Sequence, residues 1–194
     1  MKSFGSVLVV VAALCGAGTA AAQDQPWYAG VAGGRLWPET SDDGLRKEQK
    51  PGPIGEVRIG WRASPGIAVE GAFGGFHVED NLPPVDVSET TLGSLSATWF
   101  AATVKVARRA GSDRLRAFAG GGVGQYRFDA HLKDPPSTRR EASEKEFGMH
   151  LVGGVEFDAT RRIGLGLEYR WLSIESEGVE LGGGAALINA VYRF

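Results

Sequence analysis

The chain has 194 residues, 43% of them apolar and 23% charged, and its 21 basic and 23 acidic side chains leave a net charge of −2. That length suits one or two domains, the composition is too apolar and aromatic for a disordered chain, and no long run of one sign is present to grip a polyanion, so nucleic acid is not an expected partner. The 29 glycines are roughly twice the usual share and call for a packing reason.

Residues 1–22 read as a cleaved signal peptide. Lys2 is a short basic region, Val7 to Leu14 is a brief apolar core, and Ala20-Ala21-Ala22 supplies the small residues ahead of the cut before Gln23. Cys15 invites a lipoprotein reading, but bulky Leu14 stands where such a motif has a small residue. Cleavage removes Lys2, leaving 20 basic against 23 acidic residues, a net charge of −3. It also removes the single cysteine, which excludes disulfides and thiolate chemistry from the mature domain, 23–194. No later stretch is long and apolar enough for a spanning helix.

From there the pattern has period two. Eight segments alternate apolar with polar or small residues, at 26–37, 54–63, 67–77, 91–106, 114–127, 147–158, 163–174 and 184–194. A strand tilted about 45° needs roughly 9–11 residues to cross a bilayer, whereas globular strands commonly have five or six. The connections run long, short, long, short, long, short, long: 38–53, 64–66, 78–90, 107–113, 128–146, 159–162 and 175–183. That order fits an all-β, eight-stranded antiparallel up-and-down transmembrane barrel with short inner turns, longer outer loops and both termini periplasmic.

Closing a hairpin at Ser64-Pro65-Gly66 sets Arg62 opposite Ala68 and Gly60 opposite Glu70. Val57, Ile59, Trp61, Val69 and Phe73 then share one face. The 159–162 turn likewise gathers Leu151, Val155, Phe157, Leu165, Leu167, Tyr169 and Trp171 on one surface, which must look outward to lipid. The opposite surface holds Glu56, Arg58, Arg62, Glu70, Arg116, Glu156, Asp158, Glu168 and Arg170, with glycines between them. An eight-stranded barrel is just wide enough for side chains to fill, so small residues must alternate with long ones. Charges in a narrow, mostly dry lumen must also be paired, which the mixed signs allow. Lys105 is left open: it faces the lumen near Arg116, or a bulge turns it away.

The last segment, Ala186 to Phe194, has apolar residues at every second position and ends on Tyr192 and Phe194. It resembles the C-terminal signal of bacterial outer-membrane barrels. WYAGVAGG, LRAFAGGGVGQYRF and LGLEYRW are similar to the small barrel families that include the OmpA transmembrane domain, OmpX and the porin-like opacity-type proteins. The resemblance spans essentially the whole mature chain and its motifs are architectural. It implies a cell outer membrane location, contact with outer-membrane lipids and lipopolysaccharide, and insertion by the barrel assembly machinery, with Tyr192 and Phe194 as the assembly signal. It implies no reaction.

The apparent chemical motifs have plain readings. GGGVG at 120–124 is followed by more strand, not by a helix N-terminus that could receive phosphate. His77, His131 and His150 are too scattered for a zinc spacing, and His150 is expected in the lumen, satisfied by acidic neighbours. Glu168 and Arg170 could be acid and electrophile but fit a structural network better. Arg108-Arg109 and Arg161-Arg162 mark inner turns. No catalytic residue, cofactor or metal is therefore assigned. The expected role is structural or adhesin-like, in a monomer whose surface ligand is met through loops 38–53 and 128–146. One alternative is a narrow channel or small-solute porin. Another is an outer-leaflet lipid-modifying enzyme, for which His77, Ser88 and Glu79 could approach one another near the second long loop, although no motif fixes a nucleophile.

Overall fold

The computed structural model describes residues 26–42, 45–48, 50–79, 91–133, 139–176 and 179–194. The signal-peptide reading for 1–22, Ser88 and the side chains of His131 and Glu79 lie outside what is described. Among the described residues nine strands occur: β1 (Trp27–Asp42), β2 (Leu45–Glu48), β3 (Gly52–Ser64), β4 (Ile67–Glu79), β5 (Thr91–Arg109), β6 (Leu115–Lys133), β7 (Arg139–Asp158), β8 (Ile163–Ser176) and β9 (Val179–Arg193). Eight long strands pair antiparallel in chain order, and β1 pairs with β9 to close the barrel. The short β2 only folds back on the far end of β1, from Glu39↔Glu48 to Asp42↔Leu45. Closure satisfies every ladder hydrogen bond around the ring and leaves no edge at membrane depth.

The register follows the alternation. In β3–β4, Arg62 faces Ala68 and Gly60 faces Glu70. In β7–β8, Gly154 faces Glu168. The described chain begins and ends at the rim of the short turns: Phe194 N–H donates to Trp27 O at 3.1 Å, and Arg62 N–H to Pro26 O at 2.7 Å.

The expected long connections are partly strand: 175–183 is strand to Ser176 and again from Val179, paired through Ser176↔Val179. In the 128–146 connection, β6 runs on to Lys133 and β7 starts at Arg139, paired through Lys133↔Arg139. In 38–53, strand covers Pro38–Asp42 as the end of β1, then β2, and resumes at Gly52. Ladder bonds are made by the backbone and do not need an apolar face, so the hairpins continue where the amphipathic pattern has ended.

The outward surface is the reverse of a soluble protein's. Val57, Ile59, Phe73, Phe100, Val123, Leu151, Leu167 and Ile188 are exposed, Phe100 by 68% and Ile188 by 69%. Trp27, Trp61, Phe157, Tyr192 and Phe194 lie toward the short-turn rim, with Trp37, Tyr169 and Trp171 toward the other. An apolar band between two aromatic belts is the surface of a barrel bathed in lipid.

Candidate functional site

Inside the barrel the side chains form three layers. The layer toward the long connections is apolar, with Leu36, Ile54, Phe76, Val78, Trp99, Tyr126, Phe128, Leu172 and Ile174 all buried. Its rings form a chain: Phe76 to Trp99 at 6.2 Å, Trp99 to Tyr126 at 6.1 Å and Tyr126 to Phe128 at 6.4 Å between centroids. The expectation of a charged lumen therefore holds for only part of its length. The correction has a simple cause. In β5, Ala97, Trp99 and Ala101 point in while Phe100 and Ala102 point out, so a strand apolar on both faces fills the bore as well as facing lipid.

The middle layer is an ion network of three acids and three bases. Arg170 grips Glu56 with both amino groups, at 2.6 and 2.8 Å, and donates to Glu168 at 2.9 Å. Arg58 donates to Glu56 at 2.5 Å and to Glu168 at 2.8 Å. Lys105 Nζ bridges Glu70 at 2.8 Å and Glu168 at 3.0 Å. The Tyr28 hydroxyl completes the layer by donating to Glu70 at 2.6 Å. The side chains of Glu56 and Glu168 have 0% exposure, enclosed by the cations that pair with them. Within this layer opposite signs sit side by side on one strand: Glu56 and Arg58, and Glu168 and Arg170, stand two apart and project together.

The third layer lies at the short-turn rim. Arg116 donates to Glu156 at 2.7 Å and to Asp158 at 2.6 Å. Arg193 donates to Glu156 at 2.5 Å and also to Asp158. Arg62 reaches the same Glu156 oxygen at 3.5 Å and stacks over the Tyr28 ring, 5.3 Å from its centroid. A cavity of about 50 Å³ separates this layer from the middle one, lined in part by Tyr28, Arg62, Lys105, Arg116, Glu156 and Asn189.

All nine charges read from the sequence as inward-facing point into the bore, but in two groups. Glu56, Arg58, Glu70, Glu168 and Arg170 meet in the middle layer, and Arg62, Arg116, Glu156 and Asp158 at the rim. Lys105 faces inward in unbroken ladder, since the irregularity in β5 falls at Leu92/Ser94. It pairs with acids and lies 4.7 Å over the Phe118 ring. Arg193 joins the rim group although its terminal segment shows in sequence only an alternating apolar pattern; Val191 and Asn189 beside it share its inward parity. The expectation for His150 needs correcting. Its Nε2 pairs with Thr103 Oγ1 at 2.8 Å, not with an acid, because Thr103 and His150 both approach Gly122, one from each side.

Outside the bore, His77 is exposed and its Nδ1 pairs with Ser96 Oγ at 2.7 Å. GGGVG lies within β6. Arg109 pairs with Asp113 in an exposed turn, and Arg162 donates to the Tyr192 hydroxyl at 3.4 Å. Tyr192 and Phe194 are exposed with their rings stacked at 6.4 Å. Among the described residues no three His, Cys, Asp or Glu side chains are grouped to hold a metal ion.

Comparison with known proteins agrees with this architecture. Residues 6–194 match the family model described as outer membrane protein beta-barrel domain. Neisserial surface protein A is similar in structure, with a TM-score of 0.63 at 13% identity, covering 87% of this chain and 97% of that one. The N-terminal β-barrel domain of Pseudomonas aeruginosa OprF has a TM-score of 0.59 at 9% identity, covering 89% and 100%. Ail, the attachment invasion locus protein of Yersinia pestis, has a TM-score of 0.55 at 14% identity, covering 87% and 99%. No curated protein matches the chain.

Proposed function

Because the chain belongs to the outer membrane protein beta-barrel domain family, we propose that it is a closed barrel whose working surface is the end bearing the long connections, where it meets a ligand outside the cell. The observation that carries this reading is the filled bore. An aromatic layer stacked on a balanced ion network, with side chains at 0% exposure, offers a solute no water-lined path. A porin needs the opposite, a lumen left open to water. The fold neighbours include a protein whose name refers to attachment and invasion. At such low identity that likeness reaches only the scaffold, on which the end loops carry the function.

The short turns and both ends of the mature chain face the periplasm in this proposal, and the chain is monomeric. Its tall β6–β7 hairpin, paired out to Lys133↔Arg139, projects from the outer rim together with the β1–β2 hairpin. Two measurements test the reading. In planar bilayers the purified barrel should give no steady ion conductance, and protease added to intact cells should cut only within the long connections. Stable single-channel openings would overturn the closed-barrel reading. Cleavage at 110–114 in intact cells would overturn the orientation.

A further inference from the structure

The bore carries one cation more than its acids answer. Among the described residues the middle layer balances, with Arg58, Lys105 and Arg170 set against Glu56, Glu70 and Glu168. The rim does not balance, because Arg62, Arg116 and Arg193 share Glu156 and Asp158. Arg62 is the one left short. Its guanidinium offers a fork of N–H donors, yet its ion pairing among the described residues is a single contact at 3.5 Å. That contact goes to a Glu156 oxygen that already accepts from Arg116 at 2.7 Å and Arg193 at 2.5 Å. The Tyr28 ring, 5.3 Å away, answers part of the charge with its π face. A guanidinium partly out of water and short of acceptors calls for an anion.

The surplus charge stands beside the cavity of about 50 Å³ between the rim and the middle layer. The sequence makes room for it at Ala68, a small inward side chain that pairs with Arg62 on one side and with Lys105 on the other. Both cations line the cavity, as does Arg116, whose Nε is buried without a hydrogen-bond partner. Lys105 Nζ gives two of its N–H donors to Glu70 and Glu168 and keeps one. Two acids share the lining, but both are already held: Glu70 by the Tyr28 hydroxyl and Lys105, Glu156 by Arg116 and Arg193. The cavity reaches the Ser64-Pro65-Gly66 turn, where Pro65 is exposed, so an ion enters from the short-turn end.

We propose that this cavity binds a small monovalent anion of the halide class, chloride in ordinary solution, held between Arg62 and Lys105 beside Arg116. One such ion brings the bore to neutrality, whereas a divalent oxyanion overshoots it. The space suits a particle of about the size of a water molecule, for which on the order of 10–15 Å³ suffices. The site lies at the end opposite the long connections and depends neither on a loop ligand nor on which end faces outward.

The test is urea unfolding of the intact barrel in zwitterionic lipid vesicles, at fixed pH and ionic strength, with gluconate exchanged stepwise for chloride. An ion that binds only the folded state stabilises it by linkage, so above the dissociation constant each tenfold rise in chloride should raise the folding equilibrium constant about tenfold, the slope for one site. Arg62→Gln leaves two bases on two acids at the rim; it should fold and lose that slope. Ala68→Leu fills the cavity while keeping Arg62 and should lose it as well, with Ala68→Val in its place if leucine prevents folding. Arg108→Gln, at an exposed arginine of the β5–β6 turn, should keep it. Wild-type stability that ignores chloride would overturn the site. A slope that survives in Arg62→Gln would mark a general salt effect on the barrel, and one that survives when Ala68 is enlarged would put the ion on the outer rim; either result overturns the proposal. Each of these failures leaves the closed-barrel and surface-binding reading standing, since that reading is judged by conductance and protease cleavage.

Discussion

Removing Glu168 should be among the most damaging single changes to this barrel, and a second, compensating change should largely restore it. Glu168 has 0% side-chain exposure and answers three cations: Arg58, Lys105 and Arg170. In Glu168→Gln the middle layer holds three bases against Glu56 and Glu70, one uncompensated positive charge in a dry interior. Breaking a buried pair in this way costs about 3–5 kcal/mol. Arg170→Met leaves the opposite excess, because Glu56 loses its two-point grip and keeps only Arg58 at 2.5 Å, and it should cost a similar amount. In the double variant the four charges left can still pair. Arg58 holds Glu56, and Lys105 holds Glu70 at 2.8 Å. Replacing a buried pair by neutral groups is often close to neutral, so the double should lie within about 2 kcal/mol of wild type, far from the roughly 6–10 kcal/mol that adding the singles gives. A mismatched double, Glu56→Gln with Glu168→Gln, leaves three bases on one acid and should be worse than either single. Urea unfolding in lipid vesicles, followed by tryptophan fluorescence and by the gel shift of the folded barrel, measures all four. If the balanced double is as unstable as the sum of its singles, pairing within the layer is not what stabilises it, and the account of the bore is wrong.

Three further outcomes follow from the same geometry. Leu167 is 59% exposed on the outward face, and Leu167→Arg should cost about 2–4 kcal/mol in vesicle unfolding if it lies near the bilayer midplane. A Cβ at Gly60 would collide with the Tyr28 ring, pushing the hydroxyl off Glu70. Gly60→Ala should therefore lose about 2–3 kcal/mol, whereas Gly55→Ala, with its nearest atom at 3.8 Å, should stay within about 0.5 kcal/mol. If Tyr192 and Phe194 form an assembly signal, deleting Phe194 should lower the yield of folded barrel in cells far more than it lowers refolding in detergent, since its stacking on Tyr192 is exposed; equal losses in the two assays would count against an assembly signal.

Period-two alternation determines, residue by residue, which face each side chain takes. That is a local property of the extended backbone, and strands such as β3 and β8 show it plainly because one face is charged and the other apolar. Their inward acids and arginines, the register at Ser64–Gly66 and the eight-strand count were legible for this reason. Where both faces are apolar the alternation has little contrast. Trp99 and Phe100 in β5 differ in burial only because β4 and β6 fix the parity of the strand between them. The same pairing decided Lys105, opposite Ala68 in an unbroken ladder.

Which charges meet is a different kind of question. Arg58 and Glu168 are 110 residues apart, on strands that are not neighbours in the sheet, and they touch because closure curls the sheet until opposite walls lie within side-chain reach. Sequence fixes the sign and the facing of each charge. Only the closed ring decides that three acids and three bases share one layer, that Arg193 joins the rim, and that His150 finds Thr103 instead of a carboxylate.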